Sequence, residues 1–333
     1  MKNFIKYLVI GVCVVFLFTL LFPLEEKKFD LVEPEEPTVP YTLKLYTEEN
    51  VGTTYNEAWA NYAYFELGEY PQTLKSEEVT VTITTGEEGT TGALATGNDG
   101  ARYYYQASVN GYGTSGWYKF EPIRWLILST SSDLTDTTTY GLGANNHSDM
   151  PETGEQVLVL SEFVLYRDYF DKESSYTNEF GNVDCDLSTN LNTTFAEMTG
   201  LSEYFGTYIA DTTLGTTYSI KNEEEVTVEQ FGEYTCNLFT LGQTHGSDAN
   251  SDTFHVNNYM AYDSEQMQAV PTVFANTSGC FLNTDTNASY WWVRSGYHFN
   301  YDTACFVDFD GFVSDGPVFM DFGVRPSFVL NLA

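Results

Sequence analysis

The sequence predicts an α+β domain that is predominantly β, closed by a C-terminal β-hairpin and preceded by one N-terminal transmembrane helix. Three observations predict it. Near the end of the chain, apolar runs flank Asp310-Gly311, and Asp-Gly between such runs is the strongest short-range signal for a two-residue type I′ hairpin turn. Before that turn Phe306 and Asp308 alternate with Cys305, Val307 and Phe309, so the two sets point to opposite faces of a strand. Residues 120–128 are apolar on both faces, with Ile123, Trp125 and Ile127 set against Leu126 and Leu128, as a central strand requires. Residues 7–22 are apolar except for Thr19, and with Phe4 and Ile5 the run approaches the ~20 residues that span a bilayer.

A chain of 333 residues with 42% hydrophobic content can bury a sizeable core in one large domain or two small ones. Its formal charge is −33, from 47 acids against 14 lysines and arginines. Such a field repels nucleic acid and anionic lipid headgroups, which leaves the N-terminal helix as the membrane contact and excludes nucleic acid as a partner. The 25 tyrosines and 24 phenylalanines argue against disorder. Residues 1–24 read as an uncleaved anchor: Lys2 and Lys6 precede the apolar run, and Phe22-Pro23-Leu24 offers no small-x-small cleavage site. Val12 before Cys13 also lacks the small residue of a lipoprotein signal. The chain is thus expected at the cell membrane, single-pass, with its C-terminal domain extracellular. Residues 25–54 form an acidic, Pro-rich spacer, and residues 55–333 the domain.

Within the domain, residues 55–66 are a short helix or the lead into a strand that ends near Pro71. Residues 77–116 are rich in Thr, Gly and Ser, with Val79, Val81 and Ile83 alternating, and read as an inserted hairpin with loops. Residues 131–153 are loop and 157–160 a buried strand. Ser161 is placed to cap a helix over 163–170, and Asp186 one in which Leu187, Leu191 and Phe195 recur every four residues. Residues 234–241 read as another strand, 242–264 as polar loop, and 269–272 as the entry to a last module that closes on a strand from Ser327. No internal repeat is visible.

Several stretches carry a family resemblance. Trp291-Trp292-Val293-Arg294-Ser295-Gly296, with the closing GVRPSFVLNL from Gly323, resembles the end of a large bacterial family of unknown function that carries WWLRSPG and closes on GVRPALxL. Upstream, FELGEYPQT from Phe65 resembles the family's FGxYPQT, and YKFEPIRW from Tyr118 its EPIRW strand. LVLSE from Leu158 resembles its LLLSE, Leu191-Asn192 its WLN, and AVPT from Ala269 its APTxYA. The agreement covers roughly residues 62–332, and the order of the stretches is more specific than any one of them. That family is similar to the C-type-lectin-like fold of the formylglycine-generating (sulfatase-modifying) enzymes. The resemblance implies a C-type-lectin-like domain and no activity.

The chemistry-bearing residues narrow the function. Cys185, Cys236, Cys280 and Cys305 show no CxxC or zinc spacing; they are either four buried thiols or paired, Cys280 with Cys305 first because both flank the last module. The closely spaced cysteine pair of the formylglycine-generating enzymes is missing. Four scattered histidines stand without a partner motif. Asp308, Asp310, Gly311 and Asp315 suggest a calcium loop, but Phe306 breaks the DxDxDG form, so no cofactor is expected and calcium is the weak exception. Three of the five arginines, Arg124, Arg294 and Arg325, lie in the family-like stretches. In so acidic a chain their planar donors are suited to tie carboxylates and carbonyls together. With Trp125, Trp291, Trp292 and Gly323 they form the expected framework.

The ligand surface is placed on residues 296–303, with Tyr297, His298, Phe299, Asn300, Tyr301 and Asp302, aided by Ser314 and Asp315. Tyr beside small polar residues suits recognition; the alternative is that Tyr297, Phe299 and Tyr301 alternate into the core. The expected function is non-catalytic binding of an extracellular glycan or protein. Against it stand an enzyme on the same scaffold, either an oxidase relative or a carboxylate-dependent glycan hydrolase, and a structural envelope protein.

Overall fold

The computed structural model describes residues 42–45, 63–130, 156–172, 180, 185–222, 225–242, 254, 256, 260, 265–297 and 302–331. All belong to one compact unit, Val39–Ala333. The first strands are β1 (Thr42–Leu45), β2 (Ala63–Leu74), β3 (Val81–Thr85), β4 (Leu94–Gly97), β5 (Arg102–Gln106) and β6 (Gly116–Thr130). β7 (Gln156–Ser161) and β8 (Tyr166–Tyr169) precede a short helix, α1 (Asp186–Asn190), which runs through a π turn at Leu191–Phe195 into α2 (Ala196–Thr199). β9 (Thr212–Asn222) and β10 (Glu225–Cys236) make a separate ribbon, and α3 (Val273–Thr277) leads to β11 (Trp291–Gly296). β12 (Thr303–Val307), β13 (Val313–Pro317), β14 (Asp321–Val324) and β15 (Ser327–Asn331) complete the chain. The described protein is predominantly β with few helices.

The larger sheet is built on the fifteen-residue β6, whose residues from Trp125 to Leu128 are all buried. It pairs with β2 along most of its length, with β5 along its first half and with β7 along its second. A stretch covered on both faces must be apolar throughout, as Trp125 to Leu128 is, whereas Glu121, Pro122 and Arg124 just before it keep some exposure. β15 pairs with β7, Ser327 opposite Leu160, so the closing strand joins the larger sheet and not the hairpin preceding it in sequence. The smaller sheet has the order β13-β12-β11-β14-β8, and only β11 and β14 run parallel. Gly323 makes that pairing possible: a Cβ there would lie 2.4 Å from Val164 Cγ1 and 2.6 Å from the Tyr290 carbonyl oxygen.

One continuous core joins residues of both sheets, and its indoles are satisfied as well as buried. Trp125 Nε1 donates to the Leu67 carbonyl (2.8 Å), Trp291 Nε1 to Met267 (2.9 Å) and Trp292 Nε1 to Asp168 (3.0 Å). Two arginines are fully buried. Arg325 Nε donates to the Ser161 carbonyl (2.8 Å) and its guanidinium lies 5.2 Å from the Trp291 ring centre. Arg294 Nη1 donates to the Thr240 carbonyl at 2.9 Å.

Several expectations are corrected. The hairpin turn spans 308–312: Asp308 Oδ1 accepts from the amides of Asp310 and Phe312, both at 2.9 Å, and only Gly311 has positive φ (+90°). The Asp308 side chain captures the turn and lengthens it beyond a type I′ pair. Residues 163–170 hold no helix. Ser161 Oγ donates to the Phe163 carbonyl, and β8 pairs with β14, Arg167 opposite Gly323. Cys185, not Asp186, precedes the first turn of α1, because the Asp186 carboxylate accepts from Lys172 N at 2.7 Å. In the inserted stretch 77–116, β3 and β4 pair antiparallel as a hairpin, and with β5 they extend the larger sheet beyond β6. Within the expected spacer, β1 pairs with β2. Of the strand expected over 234–241, only Tyr234–Cys236 is strand, as the end of β10; the rest of the β9–β10 ribbon has no counterpart in the sequence reading.

No disulfide joins Cys280 and Cys305; the four cysteines of the domain are thiols. Cys280 feels the charges of Arg167 on β8 and Asp321 on β14, whereas Cys305 is on β12, with β11 between. The expected membrane helix lies outside the described residues; among those residues no helix is long and apolar enough to cross a membrane.

Candidate functional site

Four segments meet around a cleft of about 320 Å³, at the low end of small-ligand pockets. β2 contributes Glu66, Gln72 and Thr73; β6 contributes Glu121, Pro122 and Arg124. Glu162 and Phe163 follow β7, and Pro271, Thr272 and Val273 lead into α3. Register brings the charged groups together. Glu66 lies directly opposite Arg124 in the β2–β6 ladder, and the amide of Glu162 donates to the Arg124 carbonyl at 2.9 Å. Arg124 Nη1 then meets Glu162 Oε2 at 3.4 Å, while its Nε lies 4.0 Å from Glu66 Oε1. The Glu162 side chain is only 5% exposed against 28% for Glu66 and 34% for Arg124, so the buried carboxylate anchors the guanidinium and the other two face solvent.

The backbone around the cleft is fixed by local devices. β2 is irregular at two places, between Glu66 and Glu69 and between Pro71 and Thr73. Bulges of this kind re-aim side chains beside sites. Gly68 adopts φ +68° in the first of them. At the second, Gln72 Nε2 donates to the carbonyls of Glu121 and Pro122, both at 2.9 Å. Thr272 caps α3, its Oγ1 accepting from Ala275 N at 3.0 Å. Its amide donates to the Val164 carbonyl at 3.0 Å, which fastens the third segment to the fourth. Val273, 49% exposed, and half-buried Phe163 supply apolar wall.

The expected ligand loop fares differently. His298, Phe299, Asn300 and Tyr301 lie outside the described residues. Tyr297 is half-buried and packs against the core, its amide donating to the Thr303 carbonyl at 2.9 Å. Burial, then the charge of Asp315, raises its phenol above the ordinary range. Asp302 gives its carbonyl to Val318 N (2.8 Å) and its carboxylate to Thr303 Oγ1 (3.1 Å). A second hollow of about 210 Å³ holds the Arg167–Asp321 ion pair (2.8 Å) beside Tyr290 and Phe281. Among the described residues no group of three or more His, Cys, Asp or Glu could hold a metal ion, and Asp308 spends its carboxylate on the turn.

A family described as Domain of unknown function (DUF6273) matches residues 154–332, more than half of the chain. The chain belongs to the DUF6273 family. Neither a curated protein nor a solved structure matches it. The DUF6273 region contains Glu162, Phe163 and Thr272, while Glu66, Gln72 and Arg124 come from strands that precede it. The cleft therefore joins the DUF6273 segment to the N-terminal part of the same sheet. Sequence reasoning placed Arg124 in the framework and missed Glu66, Gln72, Glu162 and Thr272 as site residues. A signal for them existed: FELGEYPQT, EPIRW, LVLSE and AVPT, four of the stretches that carry the resemblance, are the ones that line the cleft.

Proposed function

We propose that this chain is a non-catalytic recognition domain of C-type-lectin-like type, held on the outer face of the cell membrane by residues 1–24, and that its cleft seats an uncharged glycan. The observation that carries the reading is Arg124 held between Glu66 and Glu162 in the lining of a small cleft. A carboxylate beside a guanidinium is an oriented pair of acceptors for sugar hydroxyls, and the guanidinium edge offers donors to the neighbouring oxygens. Phe163, Pro271 and Val273 offer apolar surface to the C–H face of a ring. The field of a −33 chain disfavours acidic sugars. Both carboxylates facing Arg124 are turned toward it, an arrangement suited to holding a ligand rather than to passing protons.

A glycan array probed with the purified chain tests this. The expected result is retention of neutral oligosaccharides that Glu66→Gln weakens. Release of reducing sugar from a retained glycan would instead make the domain a hydrolase. Retention left unchanged by Glu66→Gln would remove the cleft from the account.

A further inference from the structure

β3 is the last strand at one end of the larger sheet. On one side it pairs with β4, Val81 opposite Gly97 and Ile83 opposite Ala95. Among the described residues nothing pairs with its outer edge. Residues 80–85 read Thr-Val-Thr-Ile-Thr-Thr: six β-branched, uncharged residues in a chain that carries −33. Edge strands are commonly protected by Lys, Pro or inward-pointing charge, and β3 has none of these. The ribbon behind it is firm. Ala93, Ala95, Tyr103 and Trp117 form a small core against which Val79 and Val81 pack, and Asp99 ties Tyr103 (2.9 Å) to Lys119 (3.1 Å).

Charge decides what the edge can take. Exposed Glu77 and Glu78 precede the strand, and exposed Glu87 and Glu88 follow it. A second copy of the chain would set acids against acids at both ends, whichever direction it ran, and like charges across a ladder are destabilising. An extended segment with a β-branched centre and Lys or Arg at each end meets opposite charge in either direction. We propose that β3 is a docking edge for such a segment of another protein, which adds to the sheet by main-chain hydrogen bonding.

The geometry supplies a clean perturbation. Thr80 N donates to Asn98 Oδ1 (3.2 Å) and Asn98 N to the Thr80 carbonyl (2.9 Å), so Thr80 faces β4. Antiparallel alternation then turns Thr82 toward β4 and the amides of Val81 and Ile83 outward. Ile83→Pro removes an outward N–H without taking a bond from the ladder, the position at which sheets tolerate proline.

The test is fluorescence anisotropy with the full chain and a labelled peptide of alternating threonine and valine, with two lysines at each end. Saturable binding that weakens as salt rises is expected. Replacing the lysines by glutamates, or using the Ile83→Pro chain, is expected to weaken it by about tenfold or more, ~1.4 kcal/mol, with the urea midpoint of the chain unchanged. Absence of binding, equal binding of the acid-ended peptide, or equal binding by a folded Ile83→Pro chain would overturn the proposal. So would concentration-dependent dimerisation abolished by Ile83→Pro, which would give the edge to a second copy.

Discussion

Asn192 stands in the π turn between α1 and α2 and uses every hydrogen-bonding site of its amide. Nδ2 donates to the carbonyls of Ser188 (3.0 Å) and Leu238 (2.8 Å), while Oδ1 accepts from the amides of Asn237 (3.1 Å) and Leu238 (2.9 Å). One side chain thus ties the helical segment to the strand-like stretch that carries Phe239 to Ser327. Each neutral bond is worth about 0.5–1.5 kcal/mol net. Because Asn192 is half-buried and water replaces part of the loss, Asn192→Ala is expected to cost about 2–4 kcal/mol. Asn192→Asp keeps the volume and both acceptors, loses both donors, and sets a negative charge against two carbonyl oxygens. Its expected cost is about 2 kcal/mol or more at neutral pH. Urea unfolding followed by fluorescence measures both, with the slope checked for unchanged two-state behaviour. An Asn192→Asp chain within ~0.5 kcal/mol of the parent would refute the claim that the amide donors hold these segments together.

Three further outcomes follow from the same geometry. Arg325→Ala, which removes a buried charged donor to Ser161 and the face-on contact with Trp291, should destabilise by about 2–5 kcal/mol, with Arg325→Lys costing part of that; unchanged unfolding with lost ligand binding would make Arg325 a site residue instead. Asp168 has its carboxyl raised to about 6, first by burial, against which Asn190 and Tyr169 N donate to it. The folded state therefore binds the extra proton between about pH 4 and 6, so stability falls as pH rises through that window. Asp168→Asn should recover up to ~3 kcal/mol at pH 7.5 and much less at pH 4; an equal gain at both would contradict it. Gly68→Ala should cost about 2–3 kcal/mol in urea unfolding, because φ is +68° and the new Cβ would lie 2.9 Å from Leu201 Cδ2; a neutral outcome would mean that the bulge yields.

The strands that the sequence shows are those whose burial is two-sided. The Trp125–Leu128 stretch of β6, with β7 and β15, reads as apolar runs because both faces are covered, and nothing nonlocal is needed to see them. β8 escapes the sequence because Tyr166-Arg167-Asp168-Tyr169 is half-buried at every position and has no period of its own; its pairing with β14 makes it a strand. The turn at Asp308 shows a local rule overridden by a stronger local rule, since a carboxylate that can take two amides outweighs the Asp-Gly preference. The cleft was hidden for a different reason. Glu66, Arg124, Glu162 and Thr272 are spread over two hundred residues of chain, and only the register of β2 on β6, with the hold of Glu162 N on the Arg124 carbonyl, brings them together. Order of motifs can be read along a sequence; convergence cannot.

The most direct measurement is calorimetric titration of one neutral oligosaccharide, selected from the array, into the parent chain and two sets of variants. Glu66→Gln and Val273→Arg alter the cleft at partly or well exposed positions, where folding is least at risk. Tyr297→Phe and Asp315→Asn alter the loop neighbourhood that the sequence alone would have chosen. The account predicts that affinity falls about tenfold or more in each cleft variant and holds in both loop variants. Affinity kept by the cleft variants and lost in the loop variants would move the site to residues 296–303 and contradict the account.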